Sequence, residues 1–273
     1  MTHQPAHHNG PPAVSGRRIV IFRILAALLG LLFTVAGLSN ARAAWMTVTG
    51  TSGDLHPDLN RWFTTVAGTA DLIVAGCFLA LAWRPKQPLL FFYIVVAAVV
   101  AAAINLPFAP SFGILLVIVL APVVAYPYWP ELRNARTWWQ RPQLALLIVG
   151  GLGTGIAVVI AVIAIGRQIG GTDPAAQANW WADYAEHLIN PALAILIAST
   201  RQPGWRLLAG LAAGVWTYLG LVATFVLVDD TGSWGTIGGI AAIAAGVVVA
   251  AACVRADTDG RTLVHRHTKP TAT

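Results

Sequence analysis

The run LALLIVGGLGTGIAVVIAVIAIG, residues 144–166, contains 23 residues and no ionisable side chain. As a helix it is ~35 Å long, enough to cross a bilayer hydrocarbon core of ~30 Å. Within lipid only a helix satisfies the backbone of a single segment, so the run reads as a transmembrane helix. Seven comparable stretches flank it. The full set lies near 19–39, 63–83, 89–106, 112–128, 143–166, 182–200, 207–228 and 235–254. The expected fold class is therefore an all-α integral membrane protein of about eight transmembrane helices.

Composition agrees with this reading. Hydrophobic residues make up 57% of the chain and charged residues 10%, against about 25% charged in a soluble domain. The net charge of +6 is not gathered into a basic patch interleaved with aromatics, so no nucleic-acid partner is expected. Cys77 and Cys253 fall within apolar runs and have no CxxC or metal-type spacing. Both read as small buried hydrophobes.

Basic residues set the orientation, because Lys and Arg stay on the cytoplasmic side of short loops. With the N-terminus inside, Arg17, Arg18, Arg84, Lys86, Arg133, Arg136, Arg141, Arg201, Arg206 and the C-terminal cluster are cytoplasmic. Only Arg42, Arg61 and Arg167 fall outside. Most tryptophans sit at span ends, where an amphipathic indole prefers the headgroup region; Trp216 alone is mid-span. This places both termini in the cytoplasm and the chain in the cytoplasmic membrane.

The expected organisation is a polar tail over 1–18, a four-helix unit over 19–128, a cytoplasmic loop over 129–142, a second four-helix unit over 143–254, and a polar tail over 255–273. Both tails are expected to be disordered, and the histidines in them to be solvated. At an offset of 118, Trp62 meets Trp180, Pro85 meets Pro203, and Leu89-Leu90 meets Leu207-Leu208. Four helices return the chain to its starting side, so the halves read as parallel repeats about an axis along the membrane normal. The first span, with Arg23, Gly30, Phe33 and Gly37 before a long outer loop, loosely resembles small four-helix membrane proteins of the DoxX kind. That resemblance carries no functional residue over.

Asp71 lies about 12 Å inside the second span, on a face with Thr64, Ala67, Gly68 and Ala75. It reads as a proton or cation site in the bundle interior, or as a structural carboxyl bonded across an interface. Arg23 is a conceivable partner, although snorkelling to the cytoplasmic interface is its expected use. The start of the sixth span carries Asp183, Glu186, His187 and Asn190, neighbours at helical spacing of three and four, ahead of a helix-weakening Pro191. This face suits a proton shuttle, a metal or a lipid headgroup; the alternative is an interfacial helix start whose acids complement the dipole. His56, Asp54 and Asp58 in the first outer loop are candidates to complete a metal site with His187. Trp216 with Tyr218 is a candidate cavity wall.

The glycine runs 150–155, 210–214 and 235–239 read as helix-packing surfaces, suited to a helix partner or a second copy. They are not phosphate loops. Asn105, Pro107, Pro110 and Pro122 read as turn and kink chemistry. No HExxH, GxSxG, Walker or EF-hand pattern is present, and a single histidine within the spans excludes a bis-histidine haem. No cofactor is expected.

Three functions fit. The first is a carrier or accessory membrane subunit for transport of a small or apolar ligand. The second is an outer-leaflet lipid-modifying or metal-assisted enzyme, and the third an assembly partner without chemistry.

Arg17-Arg18, the apolar run and Ala41-Arg42-Ala43 also match a cleavable signal. Cleavage would leave seven spans. N-terminal sequencing of the mature protein is expected to show residues 1–43 retained; a start at Ala44 overturns the eight-span reading.

Overall fold

A computed structural model describes residues 15–46, 57–132, 142–230 and 232–267. Helices are the regular structure of these residues, with no strand among them. In order come α1 (Gly16–Ala41), a 3-10 turn (Arg42–Trp45), α2 (Pro57–Trp83), α3 (Pro88–Asn105), α4 (Phe112–Ala125) and the short α5 (Trp129–Leu132). Then follow α6 (Leu144–Gly170), the short α7 (Pro174–Gln177), α8 (Trp180–Ala198), α9 (Trp205–Phe225) and α10 (Gly235–His267).

Each of the eight expected stretches falls on one of the long helices. Six helices are long and apolar enough to cross a membrane: α1, α2, α3, α6, α9 and α10. The chain is thus an all-α protein of the multi-pass membrane type. Helix α4, with 14 residues, is shorter. It stops at Ala125 rather than near 128 because Pro127 keeps Tyr126 out of the helical region, at ψ 124°; the Tyr126 ring stacks on Phe91 at a centroid distance of 3.7 Å and meets Phe22 edge-on. Helix α10 continues to His267, where a tail from 255 was expected. No proline interrupts the chain before Pro270.

Helix α8 is not among the six, because Asp183, Glu186, His187 and Asn190 dilute its apolar sequence. It is instead the most enclosed helix, with 14 of its 19 residues buried. Helices α2, α3, α6 and α9 pack around it. The helices outside this centre turn apolar side chains outward, such as Leu28, Leu31 and Val35 on α1, Leu152 and Ile163 on α6, and Ile237 on α10. Such faces suit lipid contact.

Three antiparallel pairs hold the bundle together through small residues. A methyl group built on Gly30 or Gly37 of α1 would collide with Leu79 or Leu72 of α2, and one on Gly68 with the backbone of Asn40 and Ala41. In the second half Gly150 of α6 lies against the backbone of Leu196, and Gly153 under the Trp216 ring. Gly239 and Gly246 of α10 face Thr224 and Thr217 of α9. Those two hydroxyls are turned back onto the carbonyls of Gly220 and Ala213 at 2.8 Å, leaving no polar group bare in the seam.

Not every glycine of these runs packs within the chain. Gly210 and Gly214 are exposed and touch no other element, as do Gly151 and Gly155, so only one side of the 150–155 run packs within the chain.

The tryptophans also depart from expectation. Trp45 and Trp83 are exposed at helix ends, but Trp62 and Trp181 are buried in an aromatic layer with Phe63, Tyr184 and Trp234. Their place in the chain is interfacial, while their rings pack inward.

Gly68→Leu should overpack the α1–α2 seam and cost about 1–3 kcal/mol. Gly210→Leu, on an open face, should leave stability unchanged. Thermal unfolding of the purified protein in detergent checks the pair, and equal melting temperatures for both would contradict the packing described.

Candidate functional site

The beginning of α8 is held in place before its polar residues are reached. Gln168 near the end of α6 is buried; it donates to the carbonyl of Ala176 at 2.7 Å and accepts from the amide of Ala182 at 3.3 Å. Asp173 caps α7 by accepting from the amide of Ala176 at 2.7 Å. Phe63 of α2 stacks on Tyr184 at 4.9 Å and meets Trp181 edge-on at 5.0 Å. The Tyr184 hydroxyl donates to the carbonyl of Gly232 at 3.2 Å. With 181 and 184 locked to these neighbours, residues 183, 186, 187 and 190 are turned toward α1, α2, α3 and α4.

There they meet a cavity of about 500 Å³. Its walls are mainly apolar, with Phe33 of α1, Ala67 and Ala70 of α2, Ala97 and Ala101 of α3, and Leu115 of α4. Asp71, Asp183, Glu186, His187 and Asn190 all line it. Asp71 and the four polar residues singled out at the start of the sixth span therefore converge on one space. Helix α8 runs unbroken through Pro191 as it supplies four of them.

Glu186 is buried and receives two amides. Asn105 Nδ2, at the end of α3, donates to Oε2 at 2.7 Å, and Asn190 Nδ2 to Oε1 at 3.3 Å. The His187 ring places Nδ1 2.7 Å from the carbonyl oxygen of Asp183 and 3.4 Å from its carboxylate. Its Nε2 is 3.9 Å from Glu186 Oε1, beyond hydrogen-bond range. Asp71 makes no hydrogen bond or ion pair among the described residues, so its carboxylate faces the cavity without a protein partner. The Oδ1 of Asn190, a residue only 3% exposed, is also unpartnered.

The remaining candidates lie elsewhere. Trp216 lines a second, still more apolar cavity of about 610 Å³ among α6, α8, α9 and α10, packed over Gly153. His187 alone of the candidates borders both spaces. His56 and Asp54 lie outside the described residues, as does the side chain of Asp58. Arg23 is no partner for Asp71. Its guanidinium donates to the carbonyl of Trp83 at 3.4 Å, at the far end of α2, and Asp71 is about 18 Å away along that helix.

Sequence reasoning missed Asn105, which was read as turn chemistry and instead bonds the buried acid. Its signal was a lone carboxamide closing an otherwise apolar helix. Asn40, at the end of α1, lines the same cavity.

No protein-family model matches the chain, and neither a curated protein nor a solved structure matches it.

The arrangement presents carboxylates and one imidazole at the end of an apolar chamber with no Lys or Arg among the lining residues. Such a lining offers hydrogen-bond acceptors and carboxylates beside apolar walls. Removing Asn105 takes one of two donors from a buried carboxylate. Asn105→Ala should cost about 1–3 kcal/mol, and Asn105→Asp, which sets a like charge against Glu186, more. Melting temperatures should fall in the order wild type, alanine, aspartate.

Proposed function

We propose that this chain is a carrier, or the membrane subunit of one, for a small and mainly apolar ligand whose polar group is a hydrogen-bond donor or a cation. The observation that carries the reading is the unpartnered Asp71 carboxylate lining the same apolar chamber as Asp183, Glu186, His187 and Asn190. A carboxylate inside a membrane bundle without a counter-charge is expensive, and such groups mark substrate or proton paths. Apolar walls admit the body of the ligand, and the polar end fixes its orientation.

The proposed topology has eight crossings in the cytoplasmic membrane with both termini inside, following the excess of Lys and Arg in that set of loops. The chamber then lies in the outer half, among the C-terminal ends of α1 and α3 and the N-terminal ends of α2, α4 and α8. A parallel two-repeat architecture, α1–α4 against α6, α8, α9 and α10, is supported by contacts that pair up. Helix α1 lies along α2 as α6 lies along α8; α2 touches α9 as α8 touches α3; α1 touches α4 as α6 touches α10. The open Gly210–Gly214 face offers a surface for a helix partner or a second copy.

The test is uptake of a panel of small lipophilic amines by proteoliposomes containing the full chain. Asp71→Asn and Glu186→Gln should each slow uptake by about tenfold or more, the effect of losing ~1.4 kcal/mol of binding. Equal rates in wild type and both variants, or no uptake above empty liposomes, overturns the reading.

A further inference from the structure

We infer that Asp183, Glu186 and His187 form a binding site for a divalent transition-metal ion of the zinc or manganese class, with the free carboxamide oxygen of Asn190 as a further donor. The inference rests on the reading of this chamber as a ligand site and names the cation that one corner of it takes.

One donor atom from each of Asp183, Glu186 and His187 lies within 4.8 Å of the others. Acidic side chains near one another are common, so the imidazole decides the matter. A backbone carbonyl only accepts, so the 2.7 Å contact with the carbonyl of Asp183 puts the proton of neutral His187 on Nδ1. The Nε2 lone pair is then bare and, at 3.9 Å from Glu186 Oε1, has no hydrogen-bond partner there. Metal-bound histidines are held in this way, by a carbonyl or carboxylate on the nitrogen that does not bind the ion.

Glu186 is oriented likewise, with Asn105 and Asn190 each donating to one of its oxygens. An independent observation points the same way. Asn190 is 3% exposed, its Oδ1 has no partner, and the residue lines the chamber. Around a tetrahedral ion with bonds of about 2.0 Å, ligand atoms stand ~3.3 Å apart. The 3.9 Å separation of Nε2 and Oε1 therefore closes by a fraction of an ångström through side-chain rotation.

The donor set selects the ion. One imidazole nitrogen with carboxylate and carboxamide oxygens suits zinc, manganese or cobalt; a copper(I) site would need thiolates or thioethers, and calcium a cage of six to eight oxygens. The three side chains approach from one helix, which leaves coordination positions for ligands from the chamber, whose lining includes Asp71 of α2.

Full-length protein in detergent, stripped with chelator, is titrated with Co²⁺ and followed by its visible d–d absorption, with Zn²⁺ competition. One equivalent with tetrahedral or five-coordinate bands is expected to be lost in His187→Ala. Asp183→Asn, at a half-exposed position that folding tolerates, should weaken binding about tenfold or more. Asn105→Ala should weaken it while retaining the bands. Tail histidines give a background that His187→Ala leaves unchanged. Loss of no equivalent in His187→Ala, or affinity unaltered by Asp183→Asn, overturns the site. If cobalt fails to bind while amine uptake still depends on Asp71, the metal inference falls and the carrier reading stands. If His187-dependent cobalt binding persists while Asp71→Asn and Glu186→Gln transport at wild-type rates, the reverse holds.

Discussion

Hydrocarbon gives a polar side chain no partner, and that constraint arranges the molecule around α8. Insertion scales set the cost of a charged residue at mid-membrane at about 2.5–3.5 kcal/mol. A helix carrying Asp183, Glu186, His187 and Asn190 cannot also form the lipid-facing wall. It becomes the helix most completely covered by others, and α1, α6 and α10, whose spans are the most apolar, take the exterior. The polarity that sets α8 apart from its neighbours in composition is what assigns it to the centre.

Covering α8 closely requires the outer helices to come near, and between helices in lipid there is no hydrophobic drive to bring them there. Packing contacts must do it, which is why small residues occupy the seams. Gly37 and Gly68 let α1 settle on α2, Gly150 lets α6 settle on α8, and Gly239 and Gly246 let α10 settle on α9. Thr217 and Thr224 fit those seams because their hydroxyls are already bonded to their own helix. Rigid pairs of this kind also leave space where they diverge: one cavity lies between α8 and α1–α4, the other among α6, α8, α9 and α10.

The helices were legible in the sequence because a continuous apolar run has one reading in a membrane, and all eight expected stretches fall on helices. Their ends follow local signals where these exist, as at Ala125, where Pro127 holds Tyr126 out of the helical region. The meeting of Asp71 with the α8 cluster was open to suspicion from spacing on each helix separately, but which faces turn toward each other is a matter of packing. Asn105 shows the limit most clearly. A carboxamide at a helix terminus has a sufficient local explanation as a turn residue, and only its distance to Glu186 reveals the other role. Gly210 and Gly214 make the converse point, since a GxxxG spacing states that a close approach is feasible without naming a neighbour.

The two-repeat reading bears on how many sites one chain carries. At the 118-residue offset, Asp183, Glu186, His187 and Asn190 of α8 correspond to Thr65, Gly68, Thr69 and Leu72 of α2. None of these is ionisable. Thr65 and Thr69 turn their hydroxyls back to the carbonyls of Arg61 and Val66, and Gly68 is covered by α1. Of the two chambers, only the one between α8 and α1–α4 has the carboxylates; the other, among α6, α8, α9 and α10, is bordered by Trp216 and shares His187 alone. On the two-repeat reading, ionisable chemistry therefore sits in one half only, and the packing differs as well, since α10 lies along α9 far more closely than α4 lies along α3. This favours a single polar site per chain, with His187 the only candidate side chain in contact with both chambers.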